Sequence, residues 1–165
     1  MFETMGSASF VWALGFAAAA GIVVAVAGGL LTETGAWYAG LRKPSWKPPD
    51  WAFGPVWTTI IILAVIAAAL AWEAAESPGA RASILAALVV NSILNIAWSG
   101  FFFKLRRPDW ALIEVALLWL SIVVLIVVLG AASATAGWLL LPYLAWVSVA
   151  AFLNFRIVQL NKPFA

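Results

Sequence analysis

The chain has 165 residues, 65% of them hydrophobic and 10% charged, with a mean hydropathy of +1.05; soluble domains run to about 45–50% apolar and about 25% charged. A fold of this size keeps much of its surface outside, so the apolar excess has to face lipid and an ordinary soluble globule is excluded. The net charge is only +2, and the lack of His and Cys excludes zinc sites, thiolate nucleophiles, disulfides and histidine triads, leaving haem only weak ligands such as Tyr or Met.

Charge-free runs divide the chain, since a membrane-crossing helix needs about 20 predominantly apolar residues. No charge falls between Glu3 and Glu33, and residues 10–31 form the first predicted span. A cleavable leader is not expected, because residues 2–10 carry no base and the apolar run is longer than a leader's. Ala17, Gly21, Ala25 and Gly29 make a small-residue stripe on this span, which serves close helix approach within the bundle or across a dimer.

The first connection, residues 37–57, reads WYAGLRKPSWKPPDWAFGPVW. Pro44, Pro48, Pro49 and Pro55 alternate with Trp37, Trp46, Trp51 and Trp57. Each proline fixes its own φ and biases the preceding residue toward extended backbone, so this segment is stiff. Its density of aromatics and bases fits a lid over the helix bundle better than an interfacial belt alone.

Residues 51–72 and 82–103 are the second and third spans. Asn91, Asn95 and Ser99 recur every four residues on the third, with Trp98 near the same face. Amides are costly in hydrocarbon, so this face points into the bundle, for interhelical hydrogen bonds or for ligand contact. Residues 110–130 form the fourth span, interrupted by Glu114. Residues 131–137, AASATAG, are small and turn-prone and are expected to separate it from a fifth span at 138–160, with Pro142 in a first-turn position. Glu114 and Arg156 fall in the same half of the bilayer and are expected either to pair or to leave Arg156 snorkelling. The predicted fold class is an all-α integral membrane protein, a bundle of five transmembrane helices with a Pro/Trp-rich first loop as lid, forming a single domain over residues 1–165.

The bases set an orientation. Arg42, Lys43, Lys47, Lys104, Arg106, Arg107 and Lys162, with Arg156 nearby, fall on the side of the first and third connections and the C-terminus; only Arg81 falls on the other. The positive-inside bias predicts an outside N-terminus and cytoplasmic first and third loops and C-terminus. The basic pI of about 9.3 therefore describes topology and gives no reason to invoke nucleic acid.

The pattern Trp37-Tyr38-x-x-Leu41-x-Lys43-Pro44-x-Trp46-x-Pro48-Pro49-x-Trp51, followed by Gly54-Pro55-x-Trp57, closely resembles the TspO/translocator protein family, the tryptophan-rich sensory proteins also called peripheral benzodiazepine receptors. The resemblance continues through Asn95-x-x-Trp98, Phe101-Phe102-Phe103, Trp110-Ala111-Leu112 with Glu114, Pro142-Tyr143-Leu144-Ala145-Trp146 and Leu153-Asn154. It implies five transmembrane helices, homodimers, and binding of porphyrins and similar hydrophobic ligands in a cavity closed by the first loop. It further implies that Tyr38, Pro49, Trp57, Asn91, Asn95, Trp98, Trp110, Trp146, Ala150 and Leu153 contact the ligand. Arg42, Lys43 and Lys47 are expected to meet porphyrin carboxylates at the mouth. The expected activity is that of a receptor or carrier for tetrapyrroles, with porphyrin or haem as ligand and with no required cofactor and no metal site. Light-dependent porphyrin degradation, reported for some bacterial relatives, is the alternative, with Trp57 and Trp146 as the candidate residues. A sterol-recognition pattern of animal relatives is not met: the last span reads Leu153-Asn154-Phe155-Arg156, with Phe where Tyr is required, which argues against sterol.

Overall fold

A computed structural model describes residues 8–164, so the stretch on which the expectation of no leader mostly rests lies outside the described residues. All regular structure among the described residues is helical: α1 (Ala8–Leu31), α2 (Ala36–Gly40), α3 (Asp50–Ala74), α4 (Pro78–Ser99) continued by a π turn (Gly100–Lys104), α5 (Pro108–Ala132), α6 (Ala134–Leu139) and α7 (Leu141–Asn161). Five crossings result, with α6 and α7 together making the fifth. The protein is a multi-pass integral membrane protein.

The fourth crossing is the centre of the bundle. α5 buries Ala111, Val115, Leu118, Ile122, Leu125 and Leu129, which alternate three and four residues apart and so form one continuous stripe. α4 packs on one side of that stripe and α7 on another. At α4's start the Ser77 hydroxyl accepts the Ala80 N–H at 3.1 Å, and Pro78 occupies the first turn, where its missing N–H leaves no bond unmade.

α4 does not stop where its apolar run thins. It widens into the π turn, closed by the Leu105 N–H donating to the Gly100 carbonyl at 2.9 Å. The extra residue in that turn brings both Phe102 and Phe103 into the interior. Arg106 then takes a left-handed conformation at φ 56°, uncommon outside glycine, and reverses the chain into α5.

The structure corrects the expected separator over residues 131–137. Only Ser133 breaks the helix, and residues 134–139 form α6. A Cβ at Gly137 would lie 3.1 Å from the Gly130 Cα and 3.3 Å from the Ile126 carbonyl oxygen, so α5 and α6 touch backbone to backbone. Small residues read as turn-formers by composition, yet they are also what close helix contact selects. Pro142 does sit in the first turn of α7.

α1 lies at the edge. Gly21 faces α3, where an added Cβ would meet Ile61 and Val65 at 3.0 Å, so at that position the small-residue stripe serves packing inside the chain. At the far end the Ser9 hydroxyl donates to the Glu73 carboxylate at 2.6 Å, tying α1 to α3. Val11, Phe16, Ile22, Val23 and Val26 point outward, as a lipid-facing helix requires. Trp12 and Trp138 are exposed near the end away from the first loop, and Trp46, Trp51 and Trp110 near the other, giving two aromatic girdles.

Gly15 has open space around it, whereas Gly137 has none. Both substitutions to Ala gain about 1 kcal/mol of helix propensity. Gly137→Ala is expected to lower the denaturation temperature in detergent and Gly15→Ala to leave it unchanged or raise it. Equal shifts in the two variants would contradict the backbone contact.

Candidate functional site

The polar face of α4 meets polar side chains from two other crossings. Asn91 Nδ2 donates to Ser121 Oγ of α5 at 2.9 Å, and Asn95 Nδ2 donates to the Tyr143 hydroxyl of α7 at 2.8 Å. That hydroxyl donates to Asn91 Oδ1 at 3.3 Å, and Ser121 Oγ donates to the Leu118 carbonyl at 2.7 Å. α4, α5 and α7 are thereby joined in register. Each bond satisfies a group that hydrocarbon would leave bare.

Between this network and the first loop lies a cavity of about 470 Å³, within the range of small-molecule sites. Tyr38, Phe53, Trp57, Trp98, Phe103 and Trp146 form aromatic walls, with Val115, Leu118, Val147 and Ala150 behind them. Phe53 meets Trp146 edge-on at 5.3 Å and Trp57 meets Tyr143 edge-on at 6.0 Å, so each indole is braced by a neighbouring ring. The indole N–H groups of Trp98 and Trp146 are buried and have no hydrogen-bond partner. Such donors are costly to leave unpaired, and both belong to residues of the cavity wall. Ala25, Gly29, Gly54 and Thr58 are both exposed and part of the lining, so the cavity reaches the outer surface between α1 and α3.

Residues 32–49 cover the end of the bundle. Tyr38 packs against Phe103 at 5.5 Å and Trp37 edge-on against Phe102 at 6.1 Å, so the loop rests on the π turn. Trp46 stacks on Phe152 of α7 at 5.2 Å. Asn161, the last residue of α7, grips the backbone of Arg42: the Arg42 N–H donates to Oδ1 and Nδ2 donates to the Arg42 carbonyl, both at 2.8 Å. Lys104 Nζ pairs with Glu33 at 2.7 Å, a bond that holds the Glu33 carboxyl below its usual pKa.

Tyr38, Trp57, Asn95, Trp98, Trp146 and Ala150 are brought together on the cavity wall. Asn91 is not there; its amide is spent on the network, and it borders a smaller hollow deeper in the bundle. Leu153 is buried with Phe102, Phe103 and Ala111, where it supports the wall from behind. Pro49 is exposed at the N-cap of α3. Trp110 is 47% exposed, because the stripe through Ala111, Val115 and Leu118 turns it outward; there the Arg107 guanidinium lies over its ring at 4.4 Å.

The loop bases are placed differently from the expectation. Lys43 Nζ folds back onto the carbonyls of Tyr38 and Leu41 and over the Tyr38 ring at 4.3 Å. Burial, with help from Lys47, holds this ammonium below the usual lysine pKa. Lys47 pairs with Asp50 and also donates to the Pro48 carbonyl at 3.0 Å. Loop carbonyls hold Lys43, and Asp50, itself part of the cavity lining, holds Lys47; neither lysine lines the cavity. Arg42 remains exposed. Phe53 and Val115, which no sequence motif marks as ligand contacts, join the wall, as does Phe103 of the Phe101-Phe102-Phe103 run; Phe53 lies one helical turn before Trp57.

Glu114 and Arg156 do not pair. Arg156 donates to Gln159 one turn along α7 at 2.6 Å. Glu114 is buried at 5% exposure with neither oxygen bonded.

Residues 13–160 match the model of the TspO/MBR family. The chain is 38% identical over 142 residues to the tryptophan-rich protein TspO of Chlorobaculum tepidum, covering 85% of this chain and 90% of that one. It is 37% identical over 133 residues to protein CrtK of Rhodobacter capsulatus, covering 81% and 83%. The human translocator protein is 36% identical over 136 residues, covering 76% and 75%.

Because the two side chains act separately, Glu114→Gln and Arg156→Gln are expected to change stability additively, with a coupling under about 0.5 kcal/mol in a double-mutant cycle in detergent. A coupling above about 1 kcal/mol would restore the ion pair.

Proposed function

The chain belongs to the TspO/MBR family, and from that membership we propose that it is a membrane receptor or carrier that encloses porphyrins and similar hydrophobic ligands in the cavity beneath the first loop. The observation that carries the reading is an aromatic cavity of about 470 Å³ with two buried, unpartnered indole donors in its wall. A porphyrin is a large flat apolar ring with carboxylate arms. Trp57, Trp98 and Trp146 offer faces for the ring, while the Trp98 and Trp146 N–H groups are covered within the wall. With Lys43 held by loop carbonyls and Lys47 by Asp50, Arg42 is the first-loop base left to meet an arm at the mouth.

Nothing in this site calls for a metal. The chain has no His or Cys to ligate iron, so recognition rests on ring, edge and carboxylate, and no cofactor is required. The distribution of bases supports a cytoplasmic lid, and the outward apolar face of α1 and family resemblance support a homodimer. A second reading, light-dependent degradation of the bound pigment, is favoured by one observation: Trp57 and Trp146, both oxidisable by an excited porphyrin, line the same cavity.

Metal-free protoporphyrin is expected to quench the tryptophan fluorescence of the purified protein with an affinity within about threefold of haem's. Binding seen only with iron would sink the receptor reading. Under illumination, unchanged bleaching in Trp146→Phe would reject a chemical role for that indole and leave binding intact. A reporter fused to the C-terminus is expected to be active on the cytoplasmic side alone; activity on the opposite side would reverse the orientation.

A further inference from the structure

A second hollow, of about 110 Å³, lies deeper in the bundle than the main cavity. Its lining includes Ala17, Gly21 and the exposed Ala20 of α1, Ala64 and Ala68 of α3, and Leu88 of α4, so it opens outward beside α1. Facing alanines and glycine leave a space that larger side chains would fill. The helices cannot simply move together to close it, because beside it Gly21 is already in contact range of Ile61 and Val65.

Val24, Trp57, Ile61 and Asn95 border both spaces, so the hollow adjoins the main cavity and Trp57 stands between them. The chemistry of the two differs. In the hollow the polar neighbours Asn91, Asn95 and Tyr143 bond to one another and to Ser121, and with Ser92 as the remaining polar neighbour the wall is mainly apolar. The main cavity keeps polar lining groups outside that network, among them Thr34 and Ser99. A ligand that satisfies both spaces has oxygen acceptors toward the lid and a short apolar arm toward the middle of the membrane.

We propose that the hollow is an annex of the ligand cavity, reached past Trp57, that takes a short apolar substituent of the bound ligand and so fixes its orientation. The proposal rests on the reading of the main cavity as a ligand site. An empty apolar hollow of about 150 Å³ in another protein takes up benzene or xenon, so about 110 Å³ suits xenon or a two-carbon group such as a porphyrin vinyl. Ser92 also borders the annex, and leucine there adds the carbons to fill it.

The test uses xenon as direct probe and two porphyrins as ligands, on the full chain in detergent. Xenon is expected to shift the Trp57 indole NMR signal saturably, and Ser92→Leu to abolish that shift. Ser92→Leu is expected to weaken protoporphyrin about tenfold, the loss of roughly two buried carbons. Deuteroporphyrin, with hydrogens in place of the vinyl groups, is expected to change by less than about twofold. Leu88→Ala, which enlarges the hollow, is expected to strengthen the xenon response and keeps the test available if Ser92→Leu does not fold. No saturable xenon shift in the unsubstituted protein, or equal losses for the two porphyrins, overturns the annex. Failure of both porphyrins to bind, with the xenon shift present and lost in Ser92→Leu, removes the receptor reading and supports the hollow as an apolar binding space.

Discussion

Inside a bilayer a polar side chain has no water to fall back on, so its hydrogen bonds must be found within the protein. The Asn91, Asn95, Ser121 and Tyr143 network meets that demand at the junction of α4, α5 and α7. Once those three helices are fixed in register, their inner faces define the back of a space that α1 and α3 flank on the other side, with an opening between them. The network also makes the contrast that gives the space its chemistry. Its own groups are satisfied, and the unsatisfied indole donors lie on the lid side of it, at Trp98 and Trp146.

The loop over this space is stiff in itself and lightly attached. Prolines restrict its backbone, and aromatic rings seat it on the π turn and on α7. Its polar ties are the Asn161 grip on Arg42 and the Lys104–Glu33 pair. A typical neutral hydrogen bond contributes only about 1 kcal/mol and an exposed ion pair less. Lys43 bonds inside the loop and Lys47 ties it to Asp50 at the start of α3, so both are engaged.

Sequence patterning made the architecture legible and left the local geometry hidden. Five apolar runs and the proline-tryptophan loop appear where hydropathy and proline spacing place them. The π turn at Gly100–Lys104 has no compositional marker, because Phe101-Phe102-Phe103 reads equally well as the end of an ordinary helix. Residues 131–137 mislead for a related reason: small residues favour both turns and close helix contact, and only the approach of Gly137 to Gly130 decides. Trp110 was drawn to the cavity by resemblance, but the stripe of α5 turns it outward. Glu114 and Arg156 share a depth without sharing a face. Helical spacing did carry real information at Asn95 and Trp98, which reach the cavity together, and at Ala25 and Gly29, whose small size opens its edge.

The central claim is that a ligand bound as proposed lies against the rings of Trp98 and Trp146 in the cavity wall. The most direct measurement is an NMR titration of the tryptophan side-chain N–H signals with metal-free protoporphyrin. The Trp98 and Trp146 signals should shift saturably and together, while that of Trp119, which already donates to Ser148 Oγ at 2.9 Å, should stay in place. Unmoved Trp98 and Trp146 signals at saturation, or shifts confined to the lipid-facing Trp12, Trp51 and Trp138, would contradict the account.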